Sequence, residues 1–327
     1  MTSGAIAGSE LAIETHGLTK QFGKQTAVNG VDLEVPHGAV FGFLGPNGSG
    51  KTTTIRMLLG LAAASGGGIR VLGRDMPRDV ARVLPRVGAL VEGPGFYPYL
   101  SGASNLHRLD TADRYAPSST RSARVAHALE RVGLTSAADK KVRAYSLGMK
   151  QRLGIANALL TPRELLVLDE PTNGLDPQGT REVRALIRSL ASEGTTVFVS
   201  SHLLAEIEQI CTHAAVMSVG RLVAQGTLDQ LREVGRPRVR LTTPDIRLAA
   251  PVLTRFGMSV EPTAAAPVSD IDGPELVALF GEIGVEPDAI VAALVAEGVR
   301  VRGFAVERTS LEDRFVELTG EGFNVEQ

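Results

Sequence analysis

The segment VFGFLGPNGSGKTTTIRMLLGL, residues 40–61, carries a strand, a glycine-rich turn and a helix in succession. Its first five residues are apolar throughout, as in a strand buried on both faces, and its last ten, TTTIRMLLGL, read as a helix. Between them GPNGSGKT, Gly45 to Thr52, fits GxxxxGK[ST] and lies where that pattern has a mechanism, after a strand and at the head of a helix. Gly45, Gly48 and Gly50 let the backbone curl so that successive N–H groups and the helix N-terminus face a phosphate. Lys51 reaches the terminal phosphates, and the Thr52 hydroxyl is placed to hold Mg2+. An ordinary Gly-rich turn leaves unexplained why a lysine occupies the first helical turn, where it opposes the helix dipole. A bound anion relieves that conflict.

Ahead of the strand-like Val40 to Leu44, Leu11 to Thr15 and Val31 to Val35 alternate apolar and polar residues, as half-exposed strands do. Further strand candidates are Ile69 to Leu72, Val87 to Val91, Leu165 to Leu168, Thr196 to Val199 and Ala214 to Ser218, with helical patterns between most of them. That alternation argues for an α/β domain with a largely parallel sheet. From about Arg236 the sequence becomes Pro-punctuated and rich in Ala and Val. It starts with the strand-like Arg238 to Thr242 and ends in the helical SLEDRFVELTG, Ser310 to Gly320. The expected partition is a flexible N-terminus over 1–9, a main domain over 10–235 and a C-terminal accessory domain over 236–327.

Composition narrows the classes. A chain of 327 residues, 43% hydrophobic, can bury a full core. A formal charge of -2 with mixed signs gives no basic face, so nucleic acid is not an expected partner. The single cysteine, Cys211, cannot form an internal disulfide, and the six histidines show no HxxH or HExxH spacing. Both fit a reducing, cytoplasmic setting without a zinc site. No uncharged apolar run approaches the ~18–20 residues of a membrane helix. The opening MTSGAIAGSE reads as a loose terminus rather than a signal peptide.

A second chemical signal is LLVLDEP, Leu165 to Pro171, where four apolar residues run into two adjacent carboxylates. Burying either without a cation is costly. Neighbours on a strand point to opposite faces, so Asp169 and Glu170 are expected to differ in role. Asp169 would assist Mg2+, and Glu170 would orient and polarise a water attacking the γ-phosphate.

YSLGMKQR, Tyr145 to Arg152, separates this chain from kinases, GTPases and helicases. It resembles the signature of ABC ATPases, usually LSGGQxQR: Ser146, Gly148, Gln151 and Arg152 match, while Tyr145, Leu147 and Met149 depart. Ser146 and the backbone near Gly148 begin a helix whose capped N-terminus suits a γ-phosphate, and Leu147 in place of glycine alters the closest backbone approach. Three further positions are similar to the same family. NGLD, Asn173 to Asp176, follows the carboxylates as the D-loop does. His202 in VFVSSHLLAEIE matches the switch histidine. Phe22 in TKQFGKQTAV matches the aromatic that stacks on adenine, with a buried core phenylalanine as the alternative.

The resemblance implies a P-loop ABC ATPase cassette: a mixed, largely parallel core sheet, an antiparallel β portion and a helical subdomain at about 93–160, followed by a small α+β C-terminal domain. It implies ATP and Mg2+ as cofactors. Gly45, Pro46, Asn47, Gly48, Ser49, Gly50, Lys51, Thr52 and Thr53 would hold the phosphates, and Lys51, Glu170 and His202 would form the catalytic set. One phosphate loop and one signature imply a second copy in a head-to-tail ATP-sandwich dimer, with Ser146, Gly148 and Asp176 acting in trans. Lacking membrane spans of its own, the chain would work from the cytoplasmic face of the membrane, peripherally, through a separate integral membrane permease subunit.

The family normally has glutamine where VGALVEGPGFYP places Glu92. A carboxylate beside Asp169 and Glu170 adds negative charge near the metal, which joins Glu92 to Thr52 and Asp169 as a metal residue and implies tighter Mg2+ dependence. Glu92, the YSLGM signature and the ending SLEDRFVELTG together look like ATP-binding subunits of drug and peptide-antibiotic exporters of the daunorubicin and bacitracin resistance type. The expected activity is ATP hydrolysis driving efflux of a drug, antibiotic or lipid-like compound. All four tyrosines, Tyr97, Tyr99, Tyr115 and Tyr145, lie between Glu92 and the signature, and GPGFYPYL reads as a docking loop for the permease or as local packing. Two other classes stay open: a soluble ABC-type ATPase without a permease, and a regulatory module that binds ATP without hydrolysing it.

Overall fold

The computed structural model describes residues 11–91, 95–113, 116–233, 238–261, 275–279 and 286–307. These divide into two compact units, with the boundary at Leu228/Asp229. In chain order the first unit contains β1 (Leu11–Phe22), β2 (Gln25–Val31), β3 (Glu34–Pro36), β4 (Val40–Leu44), α1 (Lys51–Leu58), β5 (Gly66–Val71) and β6 (Arg74–Met76). There follow α2 (Val80–Val83), β7 (Val87–Leu90), α3 (Gly102–Ala112), α4 (Arg121–Arg131), α5 (Leu147–Ala158), β8 (Leu165–Asp169) and α6 (Pro177–Ser192). It closes with β9 (Thr196–Ser201), α7 (Leu204–Ile210), β10 (His213–Ser218) and β11 (Arg221–Thr227), before α8 (Leu228–Glu233) at the boundary.

The core sheet runs β11-β10-β4-β9-β8-β7, parallel except for the antiparallel β10–β11 hairpin. Every residue of β4, β8 and β9 is buried, which accounts for their apolar runs. Phe198 on β9 stacks on Phe41 and tilts against Phe43, with ring centroids at 5.8 and 5.2 Å. Register then fixes the chemistry: Leu44 pairs with Ser201, and Asp169 with Ser200. The start of the phosphate loop, the two carboxylates and His202 therefore leave the sheet at the same, C-terminal edge.

A second, antiparallel sheet runs β2-β1-β5-β6, with β3 also paired to β1. Its strand breaks differ from the expectation that Val31 to Val35 is one strand. Val31 ends β2 and Glu34 begins β3, because Thr15 inserts its hydroxyl between them. Thr15 Oγ1 donates to Val31 O at 2.8 Å and accepts from Leu33 N at 2.9 Å. Asp32 meanwhile accepts from Gly17 N at 2.6 Å.

The helices α3, α4 and α5 form the segment between β7 and β8. Buried Asp110 on α3 joins it to α4 through Arg121 at 3.0 Å and Arg124 at 2.6 Å. Arg124 above all, with Arg121, holds that carboxyl below the usual carboxylate range despite its burial. Tyr145 is buried and its hydroxyl donates to Ala137 O at 2.6 Å, so it is a packing residue and not part of an exposed aromatic set.

The second unit contains β12 (Arg238–Thr242), α9 (Ile246–Arg255), β13 (Ser259–Glu261), β14 (Glu275–Leu279), α10 (Pro287–Ala296) and β15 (Gly303–Glu307). Its sheet runs β13-β14-β12-β15, entirely antiparallel, the ferredoxin-like order for a β-α-β-β-α-β chain. Val239, Leu241, Leu276 and Ala278 pack with Ala249, Val252, Leu253, Ile290 and Leu294 in a core of its own. Arg300 grips Asp245 through its guanidinium and its backbone N–H, holding that carboxyl down to about 2. The expected SLEDRFVELTG helix lies outside the described residues, as do Glu92 and Tyr115. Among the described residues no helix is long and apolar enough to cross a membrane.

Candidate nucleotide site

The phosphate loop leaves β4 at Leu44 and enters α1 at Lys51. Gly48 has φ +80 and Gly50, the N-cap of α1, has φ +103, backbone conformations that side chains disfavour. A Cβ on Gly50 would lie 2.6 Å from Ala27 O, and one on Gly45 would lie 2.5 Å from Met217 O. The glycines at 45 and 50 are therefore required by packing against β2 and β10, while around Gly48 there is open space. No side chain caps α1. Its first N–H groups are left for something else, and the buried Ser49 Oγ has no hydrogen-bond partner.

Lys51 is buried, and its ammonium donates to Gly45 O at 2.5 Å and Pro46 O at 3.2 Å. Glu170 Oε1 lies 3.6 Å away. Burial pushes the lysine pKa down from its ordinary value, and the nearby Glu170 and Asp169 pull it back up only in part. A cation held in that state gains from any further anion.

Asp169 and Glu170 do diverge, but not by strand alternation. β8 stops at Asp169, and Glu170 takes a left-handed backbone with φ 48, rare outside glycine and characteristic of constrained sites. Ser200 on β9 locks the turn: its hydroxyl donates to Asp169 Oδ1 at 2.5 Å and accepts from Glu170 N at 2.9 Å. Glu170 Oε2 then meets His202 Nδ1 at 2.8 Å. Lys51, Glu170 and His202 thus form a continuous chain of contacts, with Asp169 adjacent. No motif marks Ser200, whose one signal is the pair of serines that follows the apolar Val197–Val199 in TVFVSS.

Ser146 and Asp176 start two other helices. Ser146 caps α5 by accepting from Met149 N at 3.2 Å, and Asp176 caps α6 by accepting from Gly179 N at 2.9 Å. The two helix starts touch: Leu147, 53% exposed, lies 2.9 Å from where a Cβ on Gly174 would be, and Gly148 faces Leu175. Gln151 reaches from α5 to Glu170 O at 3.5 Å. Phe22, at the end of β1, is 52% exposed with Lys20 Nζ 4.9 Å from its ring centre, so it is not a core phenylalanine. Tyr97 and Tyr99 are exposed and carry Arg108 and Arg143 over their rings, at 3.9 and 5.8 Å.

Thr52 and Asp169 offer hard oxygen ligands, the donor type Mg2+ takes alongside phosphate and water. With the orphaned Ser49 Oγ and the uncapped helix they fit a metal-phosphate group, while among the described residues no cluster of three His, Cys, Asp or Glu suits a protein-only metal site.

The pattern of the ABC transporter family matches residues 28–173. The bacitracin transport ATP-binding protein of Bacillus licheniformis is 38% identical over 320 residues, covering 95% of this chain and 98% of the relative. The daunorubicin resistance ATP-binding protein of Streptomyces coeruleorubidus is 36% identical, covering 98% and 99%. Among solved structures, an ATP-binding subunit of an ABC transporter superposes with a TM-score of 0.60 at 28% identity, over 68% of this chain and 92% of that one. The first unit has the fold of a P-loop ABC ATPase cassette, and the chain belongs to the ABC transporter family, among its ATP-binding proteins.

Proposed function

We propose that this chain binds ATP with Mg2+ at residues 45–53, hydrolyses it in a head-to-tail pair with a second copy, and thereby powers an exporter. The exported compound would be a drug, antibiotic or lipid-like molecule, as the bacitracin and daunorubicin relatives suggest, and its path would be a separate membrane permease. That assembly would place the chain at the cytoplasmic face of the membrane. The observation that carries the hydrolytic reading is the contact chain Lys51–Glu170–His202 at the mouth of the phosphate loop.

The loop N–H groups, the α1 N-terminus and Lys51 bind the β- and γ-phosphates, where negative charge spreads over the γ-oxygens as the terminal bond breaks. Glu170 orients and polarises the attacking water, and His202 holds the Glu170 carboxylate in place and faces the γ-phosphate. Thr52 and Asp169 hold Mg2+, which supplies electrostatic stabilisation of the phosphate oxygens. Ser146, Gly148 and Asp176 act on the nucleotide of the partner copy.

Phosphate release by the purified full-length chain tests this reading. The rate per chain should rise with protein concentration, because each site needs two copies; absence of MgATP hydrolysis, or a rate per chain independent of concentration, would count against it. Phe22 is placed to stack on adenine. Phe22→Ala should weaken ATP binding by about 1–3 kcal/mol, the worth of a base–aromatic stack, in a calorimetric titration. An unchanged affinity would put the adenine elsewhere.

A further inference from the structure

Glu206 sits in the first turn of α7 and is buried, yet it has no place in the scheme above. A buried carboxylate is tolerated only where hydrogen bonds and cations offset its lost hydration. Here one oxygen, Oε2, accepts from two hydroxyls, Thr172 Oγ1 at 2.6 Å and Ser201 Oγ at 3.0 Å. The other, Oε1, faces Arg184 Nη2 at 3.6 Å. The α7 N-terminus adds a favourable dipole.

The partners matter more than their number. Thr172 is two residues beyond Glu170, and Ser201 immediately precedes His202. A single oxygen therefore ties the segment carrying the carboxylate to the strand end carrying the histidine. Ser200 makes a parallel tie one residue earlier, between Asp169 Oδ1 and Glu170 N. Between these two ties lies the Glu170–His202 contact at 2.8 Å, built on a left-handed Glu170 backbone that does not hold itself. Arg184, from α6, anchors the far side: it also bonds Gln209, so the base of α7 is fixed to the helix that Asp176 begins.

We propose that Glu206 is a positioning residue for hydrolysis: through Thr172 and Ser201 it sets the register of Glu170 against His202 without touching the nucleotide. The inference rests on the hydrolytic reading of that pair. A glutamine at 206 keeps the volume, and its amide oxygen can still face both hydroxyls, but it loses the charge that strengthens those two bonds and turns an NH2 donor toward Arg184 if the oxygen stays on Thr172 and Ser201. The Glu170–His202 geometry then loosens, and a displacement of about 1 Å at reacting groups costs on the order of 100-fold in rate.

The test is ATP hydrolysis and nucleotide binding by full-length wild type, Glu206→Gln, Thr172→Val and the double variant, with thermal melting of each. The expected result is a kcat lowered by about 10-fold or more for Glu206→Gln, with ATP affinity changed by less than about 2-fold. The double variant should be no worse than the poorer single one, because both remove the same tie. If kcat and bound nucleotide fall together in step with the folded fraction, Glu206 is only a stabilising core group and the proposal is wrong. Should Glu206→Gln fail to fold, Thr172→Val alone decides by the same split between kcat and affinity. An active wild type with an unaffected kcat in both variants overturns the positioning role alone. An inactive wild type overturns the hydrolytic reading, and this inference with it.

Discussion

Glu170→Gln should lower the rate of ATP hydrolysis by about 10²–10⁴-fold and leave the chain as a stable ATP-bound dimer on gel filtration. The amide keeps the side chain's length and its reach to His202 Nδ1, now 2.8 Å from Oε2. The left-handed backbone at 170 is likewise unaffected, since it is fixed by Ser200 and not by the carboxylate. What is lost is the charge that polarises water. Losing it also removes a repulsion between this carboxylate and the phosphates, so nucleotide binding persists while turnover stops. Hydrolysis near the wild-type rate would mean that another group orients the water.

Lys51→Met should abolish the stabilisation that MgATP gives the wild type in thermal melting, and lower ATP affinity by more than about 10-fold, the loss of at least one charge-assisted phosphate bond. Its effect without nucleotide should have the opposite sign. Burial is the largest influence on Lys51 and pushes its pKa down, so the ammonium costs the folded chain stability that a thioether of similar length does not. The variant should therefore melt at the same temperature as wild type or higher when nucleotide is absent. Linkage gives the pH dependence: with the folded pKa below the unfolded one, the unfolded chain binds more protons in the window between them. Wild-type stability then rises with pH there. The advantage of Lys51→Met should shrink as pH climbs through the range just below the ordinary lysine value. A variant that melts lower at every pH would show that the contacts to Gly45 O, Pro46 O and Glu170 outweigh burial.

The phosphate loop was legible because its determinants are local: three glycines, a lysine and a threonine at fixed spacing between a strand and a helix. Val40–Leu44 and Arg238–Thr242 fall where hydrophobic pattern places them. Pattern failed where a side chain interrupts a strand, as the Thr15 hydroxyl does by bonding both Val31 O and Leu33 N. It failed again at Arg221–Thr227, an edge strand with no fully buried position and hence no alternation strong enough to read. For the candidate site, residue types single out Asp169, Glu170 and His202, but not how they meet. Strand alternation is not what parts the two carboxylates, because Glu170 lies past the strand in a left-handed turn that Ser200 closes. Nothing in the sequence marks Glu206, because a glutamate in the first turn of a helix is ordinarily a solvated one; only the folded chain shows it buried against Thr172 and Ser201. The ferredoxin-like order of the second unit rests on strand pairs such as Arg238–Glu307, nearly seventy positions apart, beyond the reach of local pattern.

In the head-to-tail pair, Lys51 and Ser146 of one chain serve different nucleotides. Mixing two disabled variants measures this directly. Lys51→Met spoils the phosphate loop and leaves the signature, whereas Ser146→Arg spoils the signature and leaves the phosphate loop. In a head-to-tail pair formed from one of each, the phosphate loop of the second faces the signature of the first, and one complete site is restored. Phosphate release should be near background for either variant alone and return on mixing. A mixture no more active than the mean of its two components would contradict the shared site.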